Sequence, residues 1–238
     1  MPLTHAPRIA PLDAPYTPSI EAALSKWMPP GSQIEPLRLF RTLVVHEELA
    51  SRMRPLGAGI LGSTATVPPS LREVVIHRTC ALTGAQYEWG VHVSAFAKPL
   101  GFSEAQVHST VHGAFSDECW DAQQAVVFRL ADELHTTSTI SEELWQALQE
   151  RFSEPQILEL IVTAGWYHLI GYVCNGARVQ LEQWAPEFPS PRGGRGRSLS
   201  VLAGVPARCP IEGAADAQIA GPSWRRPDGQ YLRDAPAR

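Results

Sequence analysis

The chain has no Cys-x-x-Cys pair: its four cysteines, Cys80, Cys119, Cys174 and Cys209, stand far apart and without regular spacing. That excludes a disulfide-stapled scaffold and a thioredoxin-type redox motif, and reads the four as reduced thiols engaged mainly in packing. Charge is sparse as well, at 18% of residues with a formal net charge of -4. Without a basic excess there is no electrostatic footprint for nucleic acid, and the eight histidines are scattered rather than gathered in a tract. The start, MPLTHAPRIAPLDAPY, lacks the basic lead and continuous apolar stretch of a signal peptide. No later apolar run reads as long enough to span a bilayer, so a cytoplasmic protein without membrane contact is expected. No repeat period emerges.

What the chain does have is apolar residues at helical spacing. Hydrophobic residues make up 44% of 238, enough for one core with appendages. Residues 1–35 read as an N-terminal arm with a short helix over 19–27, ended by Pro29-Pro30-Gly31. From Pro36 onward Leu37, Phe40, Leu43, Val44 and Leu49 fall on one side of a helical segment that Pro55 is expected to end, with a second short helix over 56–61. Ser70 and Glu73 have capping-box spacing, so a helix is expected from there to Gly84. Further helices are expected over 86–100, 120–135, 141–152 and 154–181, with a turn set at Ser103-Glu104. No alternating pattern or hairpin turn supports a sheet, so the fold class is all-α, a helical bundle. After Trp184-Ala185-Pro186 the composition shifts to PRGGRGRSLS and an Ala/Gly/Pro/Arg-rich stretch. Residues 36–189 therefore form the expected domain, and 190–238 an expected disordered tail.

The segment 72–92, R-E-V-V-I-H-R-T-C-A-L-T-G-A-Q-Y-E-W-G-V-H, carries the chemistry. Glu88 and His92 stand four apart and so share one helix face, and Glu73 and His77 repeat the spacing one helix earlier. Taken alone, such a pair is an ordinary solvated helix pair contributing under about 1 kcal/mol to folding. Serving as a catalytic proton donor, it is expected to cost turnover more than stability when substituted. A His beside a carboxylate can also be held in one tautomer and poised for proton transfer. Tyr87 and Trp89 by default are core or interface aromatics, and Arg72 and Arg78 surface charges.

This run resembles the signature of the carboxymuconolactone decarboxylase and alkylhydroperoxidase D (AhpD) superfamily. The resemblance extends to Leu39-Phe40-Arg41-Thr42-Leu43, residues 95–101, the helix over 159–172 and Trp184-Ala185-Pro186, covering about 35–189. It implies an AhpD-like helical bundle assembled into a homo-oligomer, a trimer or hexamer, to which Trp89, Trp166 and Trp184 would lend interface area. In the hydroperoxidase branch a Cys-x-x-Cys pair works with an upstream Glu and a downstream His. By position Glu73 matches that Glu and His92 that His, whereas Ala85 and Glu88 occupy the cysteine positions. The resemblance thus implies the decarboxylase-like branch, and no thiol peroxidase. Cys80 lies outside the motif and reads as a packing residue. His77 stands where the family usually has an apolar residue.

The implied activity is cofactor-independent acid/base chemistry on a small carboxylated lactone or keto acid, by decarboxylation or a related enolisation or isomerisation. His92, Glu88 and Glu73 are the expected catalytic groups; Tyr87, Trp89, His77, Arg72 and Arg78 the expected substrate-binding ones. Two alternatives stand beside it. One is a metal-dependent enzyme using the two Glu-x-x-x-His pairs, although no metal is expected. The other is a non-catalytic oligomeric ligand-binding protein with a degenerate pocket.

Overall fold

Helix ends follow the local chemistry of proline, serine and aspartate. The computed structural model describes residues 6–28, 32, 34–191 and 201–202. Helix α1, Pro18–Trp27, opens with Pro18 in the first turn, where a missing N–H costs nothing, and with the Thr17 hydroxyl accepting the N–H of Ile20. Helix α2, Arg38–Leu43, passes through a 3₁₀ turn, Val44–His46, into α3, Glu47–Leu61. Pro55 does not end α3 as expected but lies inside it. Its ring removes the hydrogen bond to Ser51, which is exposed, so water can satisfy the freed carbonyl. The break falls earlier, at His46, whose Nδ1 accepts the N–H of Leu49.

Helix α4, Pro69–Leu82, starts with Pro69 and has no side-chain cap. The expected capping box is therefore absent: Ser70 lies inside the first turn, and Glu73 is fully buried. Leu71 to His77 are all buried in succession, so α4 is enclosed on every side rather than amphipathic. It packs against α5, Gln86–His92; α6, Glu104–His112; α7, Ala122–Thr137; and α9, Glu154–Ala177. The short α8, Glu142–Gln149, bridges α7 and α9. Among the described residues all regular structure is helical, in line with the all-α reading.

Gly84, at φ +65°, lets the chain turn from α4 into α5. A Cβ on Gly171 would stand 2.7 Å from Thr83 Oγ1, so this glycine lets α9 lie directly on that turn. The consequence is that α4, α5 and α9 converge on one point.

The 24-residue α9 is long and apolar enough to cross a bilayer by length and composition, with mean hydropathy 1.4, contrary to the sequence expectation. Half of that stretch is buried against the rest of the bundle, which makes it a core helix. The arm lies along the bundle: Arg8 N–H donates to Ala177 O at 2.8 Å, and Arg41, itself buried, pairs with Asp13 at 2.7 Å. Trp89 and Trp166 are buried in the core and are not interface area, and Trp184 is half-buried. Of the tail, Val201 and Leu202 donate their N–H groups to Glu104. The expected disorder of 190–238 otherwise lies outside the described residues.

Candidate active site

The Glu73 carboxylate stands at the centre of the bundle, carried by α4, and the end of α5 brings His92 to it. Glu73 Oε2 lies 2.8 Å from His92 Nδ1 and 3.4 Å from His77 Nε2. On its other side His92 Nε2 faces the Tyr167 hydroxyl of α9 at 3.1 Å and Glu88 Oε1 at 3.5 Å. Glu73 and His77 are fully buried; the side chains of His92 and Glu88 are 5% and 10% exposed. The ring of His92 is held between Phe96 and a perpendicular Tyr167, with centroids 5.3 and 4.9 Å away. A π-helical turn, Val93–Ala97, follows His92 at once, a distortion that recurs at functional sites.

These charges shape one another. Burial alone would raise the Glu73 pKa, but the charge and hydrogen bond of His92, with His77 and Arg72, outweigh it and hold the carboxyl below its ordinary value. Burial pulls His92 down, yet Glu73 and then Glu88 push it up to about 9. His77, also buried, gains less from Glu73, is opposed by His92 and falls to about 4. At neutral pH the centre is thus a carboxylate and an imidazolium with a neutral imidazole beside them. Burial raises the Tyr167 hydroxyl well above its usual range, so it stays protonated.

Buried polar atoms without a hydrogen-bond partner concentrate here among the described residues. They include Glu73 Oε1, both ring nitrogens of His77 and Nε of Arg72. Arg72 spends a terminal nitrogen on Ile60 O at 3.2 Å. Unsatisfied buried groups are rare in native proteins and ask for a ligand or water.

The expected site residues divide into two groups. Glu73, His77, Glu88 and His92 share one centre, with Arg72 close enough to act on Glu73. Tyr87, Trp89 and Arg78 are committed to contacts elsewhere. The Tyr87 hydroxyl donates to Glu182 at 2.7 Å and accepts from Leu39 N–H at 3.1 Å, tying α2 and the C-terminal segment to α5. Trp89 donates to Thr110 at 3.1 Å. Arg78 bonds Asp132 at 2.6 Å and lies over the Phe128 ring. The reason is rotational: Tyr87 and Trp89 sit about 100° to either side of Glu88 on the helix. The Glu73–His77 pair is not a solvated helix pair, since both side chains have no exposure.

Tyr167 was not singled out in the sequence. Its apolar surroundings on α9 hide it, and only its approach to His92 in space reveals it. Glu88 also lies close enough to Cys80 and Cys174 for its charge, after burial, to raise both thiols well above their usual pKa. Among the described residues no three His, Cys, Asp or Glu side chains are arranged to hold a metal ion.

Residues 47–133 match the model of the carboxymuconolactone decarboxylase family. No curated protein matches the sequence. Among solved structures, the debrominase Bmp8 in complex with 2,3,4-tribromopyrrole is similar at 15% identity and TM-score 0.61, over 74% of this chain and 91% of that one. An alkylhydroperoxidase AhpD core protein from Ralstonia eutropha, described as peroxidase-related, is similar at 13% identity and TM-score 0.63, over 75% and 95%. A putative antioxidant defence protein AhpD of unknown function from Agrobacterium tumefaciens shares 14% identity at TM-score 0.53, over 58% and 93%. At these identities the likeness is one of fold.

Proposed function

Because this chain belongs to the carboxymuconolactone decarboxylase and AhpD-like superfamily, we propose that it is a cytoplasmic, cofactor-independent acid/base enzyme of the decarboxylase-like branch. Its substrate is a small carboxylated lactone or keto acid, and its assembly a homo-oligomer. The observation that carries this reading is the buried Glu73–His92 pair with a second carboxylate, Glu88, on the far side of the same imidazole. The proton His92 carries at Nε2 is the one available for transfer, because Nδ1–H is held by Glu73.

In the reaction the bond from the substrate carbon to its carboxylate breaks and carbon dioxide leaves. The electron pair moves into the lactone or ketone as an enolate, and His92 Nε2–H protonates the carbon. The Glu88 carboxylate, 3.5 Å from Nε2 and 10% exposed, is placed to take a proton from solvent and pass it to the imidazole. Arg72, with Nε unpartnered, is suited to anchor a substrate carboxylate. His77 and Tyr167 hold the imidazole and the Glu73 charge in place. Tyr87, Trp89 and Arg78 serve the frame rather than the substrate. The same proton transfer supports enolisation or isomerisation without loss of carbon dioxide. Screening carboxylated lactones and β-keto acids for carbon dioxide release and for deuterium uptake from D₂O separates these outcomes. Turnover of none of them would overturn the enzymatic reading.

A second reading is favoured by one observation: the Glu73–His92 pair is closed to solvent. A ligand-binding protein that keeps the pair as structure would bind such acids without converting them. Calorimetric binding with no product would establish it.

A further inference from the structure

Two histidines outside the Glu73–His92 centre meet across a helix boundary. His135 comes from the last turn of α7 and His168 from the middle of α9. Their facing ring nitrogens, His135 Nδ1 and His168 Nε2, stand 2.9 Å apart, with the ring centroids at 5.2 Å. The far nitrogen of His168, Nδ1, lies 3.0 Å from Ala164 O, one turn back on α9. A carbonyl only accepts, so His168 carries its proton on Nδ1 and turns the lone pair of Nε2 toward His135. The Tyr172 ring, edge-on to His168 at 6.2 Å, packs against the same imidazole from the next turn. His168 is half-buried and held at both of these contacts, whereas His135 is exposed. His135 Nδ1–H is therefore the donor between the two rings.

We propose that His135 and His168 form a binding site for a divalent first-row transition cation of the imidazole-preferring class, such as Zn²⁺ or Cu²⁺. Metal–nitrogen bonds of about 2.0–2.1 Å place two neighbouring ligand nitrogens roughly 2.9–3.4 Å apart. The two ring nitrogens already stand at the short end of that range. Entry of the ion requires one proton to move: His135 gives up its Nδ1 proton and takes one on its other ring nitrogen, remaining neutral. The exposed ring of His135 then turns to bring its lone pair beside that of His168. The bond from His168 Nδ1–H to Ala164 O is the outer contact that metal-bound histidines make, fixing the tautomer and the ring orientation. Asp132, one turn before His135, is engaged by Arg78 at 2.6 Å and does not join the set. Two protein ligands leave the remaining positions to water, for which there is space. His168 also lines a cavity of about 260 Å³ between α7 and α9, with Leu134, Ser138, Ile161, Gly165 and Tyr172. Bound there, the ion clips α7 to α9 one residue from Tyr167 and touches none of the proposed catalytic groups. The site is independent of the proposed chemistry.

The test uses the full chain without an affinity tag, dialysed against a chelator, with Zn²⁺ and Cu²⁺ as the probes. Equilibrium dialysis read by elemental analysis should show a single ion per chain. The melting temperature should rise with added Zn²⁺, because an ion that binds only the folded chain stabilises it. His135→Gln and His168→Gln should each keep the helical circular dichroism and weaken binding by roughly tenfold or more, since either leaves one imidazole without its chelate partner. The electron paramagnetic resonance spectrum of bound Cu²⁺ should show two equatorial nitrogens in the unsubstituted chain and fewer in either variant. His108→Gln/His112→Gln, which removes the other pair of neighbouring histidines, should leave binding unchanged. Failure of the unsubstituted chain to bind either ion at about 1 mM overturns the proposal and leaves the pair a hydrogen bond between helices. So does binding that survives both single substitutions, or that is lost in His108→Gln/His112→Gln or in His92→Gln instead, which would assign the ion to those residues.

Discussion

Glu73 and His92, nineteen positions apart and on different helices, meet at 2.8 Å with neither side chain more than 5% exposed. The pair is an ion pair inside the bundle, and that position decides how it responds to substitution. Removing one partner of a buried pair strands a charge and costs about 3–5 kcal/mol, far above the under about 1 kcal/mol of a surface pair. The sequence expectation that substitution would spare stability therefore does not hold for these two residues. His92→Ala and Glu73→Gln should each lower the melting temperature markedly. The double variant Glu73→Gln/His92→Gln should recover stability relative to the sum of the singles, read from a thermal double-mutant cycle.

The same pair predicts a stability profile in pH. His92 has a folded pKa of about 9, above its ordinary value of 6.5. Its contribution is complete below pH 6.5 and is lost as pH rises through 9, by an amount on the order of 3 kcal/mol. His77 has a folded pKa of about 4, below 6.5. The unfolded chain takes up this proton first, so stability also falls from pH 6.5 toward 4, and further below as Glu73 is protonated. Thermal denaturation should be most resistant near pH 6.5 and weaken on both sides. In Glu73→Gln/His92→Gln the alkaline decline should disappear.

Tyr167→Phe keeps the ring that stands perpendicular to His92 and removes the hydroxyl 3.1 Å from Nε2. The imidazolium Nε2–H then loses an acceptor, for a stability loss of about 1 kcal/mol. The His92 pKa, followed by ¹⁵N NMR, should move down, and turnover should fall by less than in His92→Gln. An unmoved His92 titration would show that the hydroxyl does not hold this nitrogen.

Cys80 and Cys174 are buried beside Glu88 with thiols raised well above their usual pKa, so neither is a ready nucleophile. Both should react with Ellman's reagent only on unfolding, and Cys80→Ser should leave the low background hydroperoxide reduction unchanged. Rapid hydroperoxide reduction abolished by Cys80→Ser would contradict the acid/base reading.

How much of this was legible in the sequence depends on whether a contact is local. Helical periodicity, Gly84 as the turn between α4 and α5, and the run 72–92 could all be read along the chain. Helical spacing by itself suggested Glu73 with His77 and Glu88 with His92; the pairing of Glu73 with His92 was implied only by the family resemblance and by Gly84 folding the two helices together, and the closest contact does run between those two residues. Glu73 had the spacing of a capping box, but Pro69 starts the helix and leaves no place for one. Tyr87 and Trp89 looked like pocket residues because they adjoin Glu88 in sequence, while helix rotation turns them to Glu182 and Thr110. Tyr167 reaches the site only by tertiary packing of α9, and its apolar neighbours gave no sign of a polar role.

The central claim is that the Nε2 proton of His92 is the one transferred. It is tested most directly by the rate of deuterium incorporation and carbon dioxide release from a carboxylated lactone in D₂O, measured for the unsubstituted chain and for His92→Gln at a temperature where both are folded. The account predicts turnover by the former and a loss of about 10²–10⁴-fold in the latter, the usual contribution of general acid–base catalysis. Turnover by His92→Gln within a fewfold of the unsubstituted rate would contradict it.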